Sequence, residues 1–275
     1  HVSRRQYTIY FKDLNSGDLL ADTIVNTTGQ GVWAADGRTF FYISKDPETL
    51  RAATVMMHVL GTPSSADKVV FYEDDETFSL GLGRTKSKKF ITIVSHHTLS
   101  TEVRLIESAS PEKGFRVFEA RGEDHLYSID HLNGTFYIQT NAGSATNFKL
   151  MTCPEQKTDM ASWKEVIPHR PDVLLEDFEL FNDFLVIDER IKGLTNLRII
   201  NISDKSEHNL DFGEETYTAG ISMNPGANTT ILRYSYSSLT TPASVFDYDM
   251  ITRTRTLLKQ DSVLGGFDRN NYESK

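Results

Sequence analysis

Cysteine is nearly absent from this 275-residue chain, in which Cys153 is the only one. An internal disulfide is therefore impossible, and nothing requires an oxidising compartment. Long apolar runs are also missing, because no stretch approaches the roughly 18 residues that a membrane-spanning helix needs. Basic residues are not in excess either. The net charge of -9 disfavours nucleic acid and membranes as partners and is compatible with cationic ligands.

No signal peptide is visible, and the chain begins at His1 inside a strand pattern, as expected when a native N-terminus is missing. We expect a bacterial cytoplasmic location, with the periplasm left open.

The motifs of several enzyme classes are missing as well. There is no Cys-x-x-Cys, His-Glu-x-x-His or calcium-binding loop, and the adjacent His96 and His97 point apart on an extended chain, so we predict no metal and no other cofactor. A serine hydrolase carries its nucleophile in Gly-x-Ser-x-Gly on a strand-to-helix turn. The nearest match, Gly220 to Asn224, fails at its last position and lies in a predicted strand. We therefore predict that Ser222 is structural, and we predict no catalytic residue.

What is present is a repeated pattern of short strands. In the stretch 219–260, four runs of alternating apolar and polar residues are separated by turn-forming residues. The third strand of each unit is predicted near Ile9, Met57, Arg104, Lys149, Arg198 and Phe246. The fourth is predicted near Ala21, Val70, Val117, Glu165, Leu210 and Leu257. Neighbouring units are thus about 45 to 49 residues apart, in the range that four-stranded repeats show.

This spacing, with no helical stretch, predicts an all-β fold of the β-propeller class; a β-sandwich has no reason to keep a constant spacing. The expected structure is a partial β-propeller of five complete four-stranded blades, preceded by two strands of another at Gln6–Asp13 and Asp18–Val25. Trp33 and Trp163 are predicted to pack between blades. The predicted units cover 1–26, 30–75, 76–122, 124–170, 172–214 and 216–262. Such an incomplete ring leaves open edges, so we expect self-association through them.

The two ends of the predicted sheets differ in chemistry. Connections between first and second strands are plain turns such as Ala35-Asp36-Gly37, whereas the connections at the opposite end are charged. Loops carry function more often than strands do, so the charged end is the candidate working side. The candidate interdomain or gating residues are Arg4, Arg5, Glu73, Asp75, Glu76, Arg121, Glu123, Asp124, Glu189 and Arg190.

Each of these candidates has two interpretations. The carboxylate run 73–76 is either a solvated loop or a source of negative potential that attracts basic peptides and weakens with salt. Arg4, Arg5, Glu189 and Arg190 are either solvated or paired with a docked domain. Exposed ion pairs contribute about 0 to 1 kcal/mol each, so such pairs would set the balance between docked and open states.

Several segments carry a specific resemblance. They are Ser3–Tyr7, Leu60–Pro63, Thr101–Leu105, Arg190–Arg198, Leu232–Pro242 and Leu257–Tyr272. Together they resemble the propeller of the oligopeptidase B branch of the prolyl oligopeptidase family of serine peptidases. The resemblance implies a seven-bladed parent and an enzyme that cleaves short peptides after Arg or Lys. It also implies a Ser-Asp-His triad in an α/β-hydrolase domain outside these residues, reached through a linker that starts at 263–275.

From this resemblance we expect a noncatalytic, substrate-gating part of a serine peptidase, inactive alone. Its expected partners are the absent α/β-hydrolase domain of the same protein and short basic peptides. A free-standing propeller that serves as a protein-interaction scaffold is the alternative, because the fold does not specify a function. A propeller glycosidase with carboxylates at its pore is a third reading.

Overall fold

The computed structural model describes residues 5–272. These residues form 21 strands and four short 3-10 helices. The strands make five antiparallel sheets, and within each sheet every strand lies beside the next one in sequence. The 3-10 helices span Ser64–Ala66, Pro111–Lys113, Met160–Ser162 and Arg269–Asn271. Among residues 5–272, no helix is long and apolar enough to cross a membrane.

The first sheet has five strands and the other four sheets have four each. The first contains β1 (Tyr7–Lys12), β2 (Leu19–Trp33), β3 (Thr39–Ser44), β4 (Thr54–Val59) and β5 (Lys68–Tyr72). The second contains β6 (Ser79–Arg84), β7 (Phe90–His97), β8 (Ser100–Glu107) and β9 (Arg116–Glu119). The third contains β10 (Tyr127–Leu132), β11 (Thr135–Thr140), β12 (Lys149–Pro154) and β13 (Lys164–Ile167).

The fourth sheet contains β14 (Val173–Leu180), β15 (Phe184–Ile191), β16 (Leu194–Asn201) and β17 (Glu207–Asn209). The fifth contains β18 (Thr218–Ile221), β19 (Ile231–Ser237), β20 (Ser244–Asp249) and β21 (Thr254–Gln260). The predicted all-β repeat of four-stranded sheets is therefore confirmed. Of the predicted third and fourth strand centres, only Leu210 falls outside a strand, directly after β17. The unit boundaries drawn from the sequence stay predictions.

In the first sheet, the two strands that the sequence assigned to a separate blade are joined to the strands of the following blade. β2 is continuous: Ile24 in its first half pairs with Ile9 of β1, and Val32 in its second half pairs with Phe41 of β3. At the changeover the buried Thr27 faces both neighbours, and its hydroxyl donates to the Tyr7 carbonyl at 3.0 Å. The sequence pattern separates β2 into two strands because polar residues interrupt its apolar alternation, but the backbone pairs on both sides of that interruption.

A buried polar network connects β1 and β2 to β3, β4 and the residues before β5 within the first sheet. His58 on β4 is fully buried, with Nδ1 2.7 Å from Asp67 Oδ1 and Nε2 3.1 Å from Asp22 Oδ1 on β2. The Tyr42 hydroxyl donates to Asp67 at 2.8 Å, and the Phe11 ring stacks on the imidazole at 5.6 Å. Buried polar groups are tolerated when they are paired in this way. The contacts hold β1 and β2 against β3 and β4.

The chain divides into two compact units, the first formed by 1–131 with 154–163 and the second by 132–153 with 164–275. In the first unit, Phe41 of β3 packs in one apolar cluster with Ile91 of β7, so the core lies between consecutive sheets. Trp163 contacts the rings of Phe118 and Tyr127 in the same unit, which agrees with its predicted packing role.

The second unit follows the same rule. Val186 of β15 and Leu232 of β19 are both fully buried in one cluster between the fourth and fifth sheets. Alternation is clear on β19, where Leu232, Tyr234 and Tyr236 are buried and Arg233 is exposed. Burying one set of alternate residues against each neighbouring sheet is the arrangement expected of propeller blades.

Candidate functional site

Charged connections follow β5 and β9 in the first unit and β13, β15 and β17 in the second, and buried glutamates lie in these connections or on the strands beside them. The side chains of Glu73, Glu102, Glu189 and Glu214 are each less than a tenth exposed. Of these, only Glu73 and Glu189 are among the residues predicted from sequence. Arg4 lies outside the described residues. Arg5 has a positive φ of 51°, and its carbonyl accepts a hydrogen bond from Lys45 Nζ at 2.8 Å.

In the first unit, Glu73 forms a buried ion pair with Arg121. The Arg121 guanidinium donates to Glu73 Oε2 at 2.7 Å and to Oε1 at 3.4 Å. Burial by itself would raise the pKa of the Glu73 carboxyl, but hydrogen bonds from Arg121, Ser95 and the Asp75 N–H outweigh it and hold the pKa below its ordinary value. Glu73 is therefore an ionised anchor, unlike the solvated residues that follow it.

Glu102 on β8 shares the same arginine. Its Oε2 accepts the Arg121 backbone N–H at 3.2 Å, and its Oε1 accepts from Arg104 at 2.7 Å. Arg121 thereby joins the β5–β6 connection, the β9–β10 connection and strand β8. The sequence analysis did not select Glu102, because the partner that links it to the charged connections, Arg121, lies 19 residues away in sequence.

The other predicted acidic residues of the first unit are exposed. The Asp75 carboxylate accepts the hydroxyl and the backbone N–H of Thr77 at 2.7 and 2.9 Å, and these hydrogen bonds hold its pKa below the ordinary value. Glu76, Glu123 and Asp124 are solvent-exposed. These side chains can contribute negative potential in a way that the buried, paired Glu73 cannot.

A pocket of about 380 Å³ lies between the β7–β8 and β9–β10 connections. Phe78 forms its aromatic wall, with His97 packed edge-on at 4.4 Å and the Arg121 guanidinium over the ring at 4.0 Å. Glu123 and Asp124 also line this pocket. Arg121 and His97 cover the Phe78 ring, so the pocket offers a ligand the exposed Leu99 and the acidic rim of Glu123 and Asp124, which suits a cationic group with an apolar stem.

In the second unit, Glu189 on β15 is almost completely buried and receives two arginines. Arg170 and Arg198 both donate to its Oε1, Arg198 at 2.6 Å. Its neighbour Arg190 points elsewhere and forms a two-point ion pair with Glu176, at 2.9 Å for both contacts. The adjacent residues thus occupy different environments, as successive side chains of a strand do.

Asp188, which the sequence analysis did not select, is buried beside this pair. It faces Asp177 across the β14–β15 ladder, and its Oδ1 has no hydrogen-bond partner within residues 5–272. Burial, together with the negative charges of Glu176 and Asp177, raises the pKa of Asp188 to about 7. Asp188 therefore titrates near neutral pH.

We expect Asp188→Asn to stabilise the chain progressively more as pH rises from 5 to 8. A carboxyl whose folded pKa is raised contributes stability that is complete below its ordinary value of 3.8 and is lost as pH rises through about 7. The asparagine is neutral throughout and avoids this loss. Urea unfolding at the two pH values should show the gap between variant and native chain widening by on the order of 1–3 kcal/mol. A constant gap would contradict the shifted pKa.

Glu214, between β17 and β18, is the most densely paired of the four glutamates. Its carboxylate accepts the hydroxyls of Tyr236, Ser238, Thr240 and Thr241 at 2.7 to 2.8 Å. Arg269, beyond the last strand, also donates to it at 2.8 Å. Burial would raise the pKa of Glu214, but the four hydroxyl donors lower it to about 2.

A serine, a histidine and a glutamate also meet in the first unit, outside the charged connections. Ser87 Oγ is 2.8 Å from His131 Nδ1, and His131 Nε2 is 3.2 Å from Glu155 Oε2. Lys89 Nζ neutralises Glu155 through contacts of 2.7 and 2.8 Å. Ser87 Oγ also accepts the Lys89 backbone N–H at 3.2 Å and contacts Thr85 Oγ1 at 3.0 Å. The hydroxyl thus closes the β6–β7 turn rather than standing exposed on a nucleophile elbow.

Consecutive sheets of this kind define the β-propeller class, and comparison with known proteins identifies the family. A sequence model described as "Prolyl oligopeptidase, N-terminal beta-propeller domain" matches residues 1–261. The chain therefore belongs to the prolyl oligopeptidase family, through its β-propeller domain. This confirms the resemblance seen in the sequence.

Individual relatives agree with this assignment. Dipeptidyl aminopeptidase BI of Pseudoxanthomonas mexicana is 45% identical over 269 residues, which are 98% of this chain and 37% of that protein. Protease 2 of Moraxella lacunata is 30% identical over 272 residues, 98% of this chain and 39% of that protein. The structure of oligopeptidase B from Leishmania major matches with a TM-score of 0.90 at 27% identity, covering 98% of this chain and 39% of that one. The chain thus spans well under half the length of these relatives.

Proposed function

We propose that this chain is the noncatalytic, substrate-gating part of a serine oligopeptidase similar to oligopeptidase B, which cleaves short peptides after Arg or Lys. The family match over residues 1–261 carries the proposal. In it, a following α/β-hydrolase domain of the same protein, reached through 263–275, supplies the Ser-Asp-His triad. The propeller covers that site and admits short peptides while excluding folded proteins, which is how a lid sequesters chemistry.

The charged connections support the gating role. Ion pairs of the buried Glu73 and Glu189 hold these loops in place, and the exposed carboxylates of Glu76 and Glu123 attract basic peptides. The pocket with its acidic rim suits a lysine or arginine side chain, or a peptide's terminal ammonium. Ion pairing of Arg4, Arg5 or Arg190 with a docked domain stays a prediction, as do self-association and a cytoplasmic location.

A dipeptidyl aminopeptidase is the second candidate, because the relative of that name is 45% identical to this chain over 269 residues, against 30% over 272 residues for Protease 2. Both activities need a cationic group in the substrate, but only the aminopeptidase needs a free amino terminus. The full-length protein should be assayed on an arginyl hexapeptide with a free and with an acetylated amino terminus. Cleavage of both supports the oligopeptidase; cleavage of the free form alone, releasing dipeptides, supports the aminopeptidase.

The 275-residue chain alone is expected to show no hydrolysis of an arginyl amide. Activity that survives repurification and is lost in Ser87→Ala would show that Ser87, His131 and Glu155 form a catalytic site, contrary to our structural interpretation. A downstream reading frame without Gly-x-Ser-x-Gly in its next few hundred codons would favour the free-standing scaffold instead.

The gating role predicts a salt-dependent effect on substrate affinity. In the full-length protein, Glu123→Gln at the pocket rim should raise KM for basic peptides about twofold or more at low ionic strength and leave kcat unchanged. The effect should disappear at about 1 M salt, where the Debye length is about 3 Å. Glu112→Gln, an exposed acid in the β8–β9 connection at the other end of its sheet, is the matched control. Equal effects of the two variants would contradict a role for the pocket.

A further inference from the structure

A cavity in the second unit is unrelated to the charged pocket of the first. It measures about 560 Å³ and lies between the third and fourth sheets. Its lining follows β16 and the residue beyond it at alternate positions, Arg198, Ile200 and Ile202. It reaches from Arg170, after β13, to Lys205, in the β16–β17 connection at the opposite end of the sheets. The cavity is therefore a slot along the strands, about 13 Å long over the stretch 198–202.

Most of the wall of this slot is apolar. Five largely apolar side chains line it, namely Tyr137, Val166, Ile167, Leu185 and Ile200. Ile167 and Leu185 are buried in the cluster that packs the two sheets together, so the wall is continuous with the core. A slot of this size and lining has room for the apolar body of a small molecule.

The arginines that line the slot are already balanced by glutamates. Arg198 donates to Glu207 at 3.1 Å, and Arg170 and Arg198 both donate to the buried Glu189. These four groups carry two positive and two negative charges, and Lys205 is exposed at the far end. A charged group placed along the apolar wall would lose hydration without meeting an unpaired opposite charge. The slot therefore favours a neutral molecule.

One polar group in the wall has no partner within the described residues 5–272. It is the hydroxyl of the half-buried Tyr137, whose ring lies 6.4 Å from that of Phe178 on the facing sheet. Burial raises the pKa of Tyr137, so the hydroxyl keeps its proton at neutral pH and can donate one hydrogen bond. A ligand that displaces water from this hydroxyl must therefore offer an acceptor, or the donor is left unsatisfied.

We propose that this slot binds a neutral, elongated molecule with a largely apolar body and one hydrogen-bond acceptor, such as a ketone or ester carbonyl. The body lies along Val166, Leu185 and Ile200, and the carbonyl oxygen accepts from the Tyr137 hydroxyl. The arginine–glutamate pairs stay intact when the ligand is bound. The proposal is independent of the peptidase function, because the slot is formed within the second unit alone.

Prodan is a suitable probe, because it is a neutral, rigid naphthalene with a dimethylamino group at one end and a propionyl ketone at the other. Fluorescence titration of the 275-residue chain should show saturable one-to-one binding. The analogue in which a carboxylate replaces the propionyl group should bind at least tenfold more weakly, because the apolar wall offers it no unpaired cation.

Tyr137→Phe tests the hydrogen bond, because it removes the hydroxyl and keeps the apolar ring. It should weaken Prodan binding about two- to tenfold, the usual value of one neutral hydrogen bond. The emission of bound Prodan should also move to shorter wavelength, because the ketone loses its donor. Dimethylaminonaphthalene, which lacks the ketone, should bind to the native chain and to Tyr137→Phe alike. Tyr10→Phe, at a tyrosine that is 62% exposed on β1, is the matched control.

A second pair of variants locates the binding. Val166, 43% exposed, lines the slot on the last strand of the third sheet, and Val166→Glu should weaken Prodan binding at least tenfold by placing a carboxylate against the ligand. Val69→Glu is the matched control, since Val69 is 61% exposed on β5, the last strand of the first sheet.

Thermal unfolding of each variant verifies that it is folded. The proposal is overturned if Prodan shows no saturable binding, if the carboxylate analogue binds equally well, if Tyr137→Phe leaves the emission of bound Prodan unchanged, or if Val166→Glu and Val69→Glu bind Prodan alike.

Discussion

Glu189→Ala is expected to destabilise the chain by about 3 to 5 kcal/mol, the range observed when one partner of a buried ion pair is removed. The Glu189 side chain is 1% exposed and its Oε1 accepts from both Arg170 and Arg198. Without it, two arginines that are only partly exposed lose their shared carboxylate. The loss is large because the remaining charges stay in a site where water cannot fully solvate them. Urea unfolding at pH 7 measures it.

The neighbouring residue provides the matched control. Arg190 pairs with Glu176, but its side chain is 43% exposed, so Arg190→Ala should cost less than about 1 kcal/mol. Glu189→Gln separates charge from size: it keeps the shape and one acceptor oxygen and should fall between the two. If Glu189→Ala and Arg190→Ala destabilise the chain equally, burial does not set the strength of these pairs and our account of the charged connections fails.

Glu214→Gln is expected to destabilise the chain by about 2 to 4 kcal/mol and to loosen the segment beyond β21. Each hydrogen bond to a charged group is worth roughly 1.5 to 3 kcal/mol, and such contributions are not additive within one cluster. The glutamine loses the charge, and its amide group faces hydroxyls that were donating to the second oxygen. Amide hydrogen exchange should quicken both in the 238–241 loop, which supplies three hydroxyls, and around Arg269.

Two further variants test the role of the Glu214 carboxylate. Glu215→Gln alters the exposed neighbour and should change neither stability nor exchange. Arg269→Ala removes a donor that is 55% exposed, so it should quicken exchange near residue 269 with little loss of stability. Unchanged exchange in Glu214→Gln would contradict an anchoring role for this glutamate.

The pH dependence of the same variant has a definite sign. A Glu214 pKa near 2, below its ordinary value of 4.5, gives stability that is complete above about pH 4.5 and is lost as pH falls toward 2. Glu214→Gln lacks that contribution at every pH. The stability difference between native and variant chains should therefore shrink between pH 5 and pH 3.

The strand repeat could be predicted because it follows from the alternation of apolar and polar residues along each strand. On β19 the buried Leu232, Tyr234 and Tyr236 alternate with polar residues, and this pattern is readable without any neighbour. The sequence did not predict that β2 is one continuous strand, because its middle is polar and is held by pairing with Tyr7 on one side and Ser44 on the other.

The burial and the partners of the charged residues, in contrast, could not be predicted from the sequence. In the run 73–76 the sequence offers four similar carboxylates, yet Glu73 is buried and Asp75 and Glu76 are exposed. The difference comes from Arg121, 48 residues away in sequence. Glu214 is likewise defined by partners between 22 and 55 residues away, so no local motif marks it.

Residue order alone was thus enough to predict the kind of sheet and the repeat, because alternation and spacing are properties of neighbouring residues. The family was recognised separately, through the resemblance of segments such as Leu232–Pro242 and Leu257–Tyr272. Folding settled which carboxylates are buried, which arginine each one meets and where cavities open. Those outcomes depend on burial and on distances between groups far apart along the chain, and both exist only once the sheets have packed.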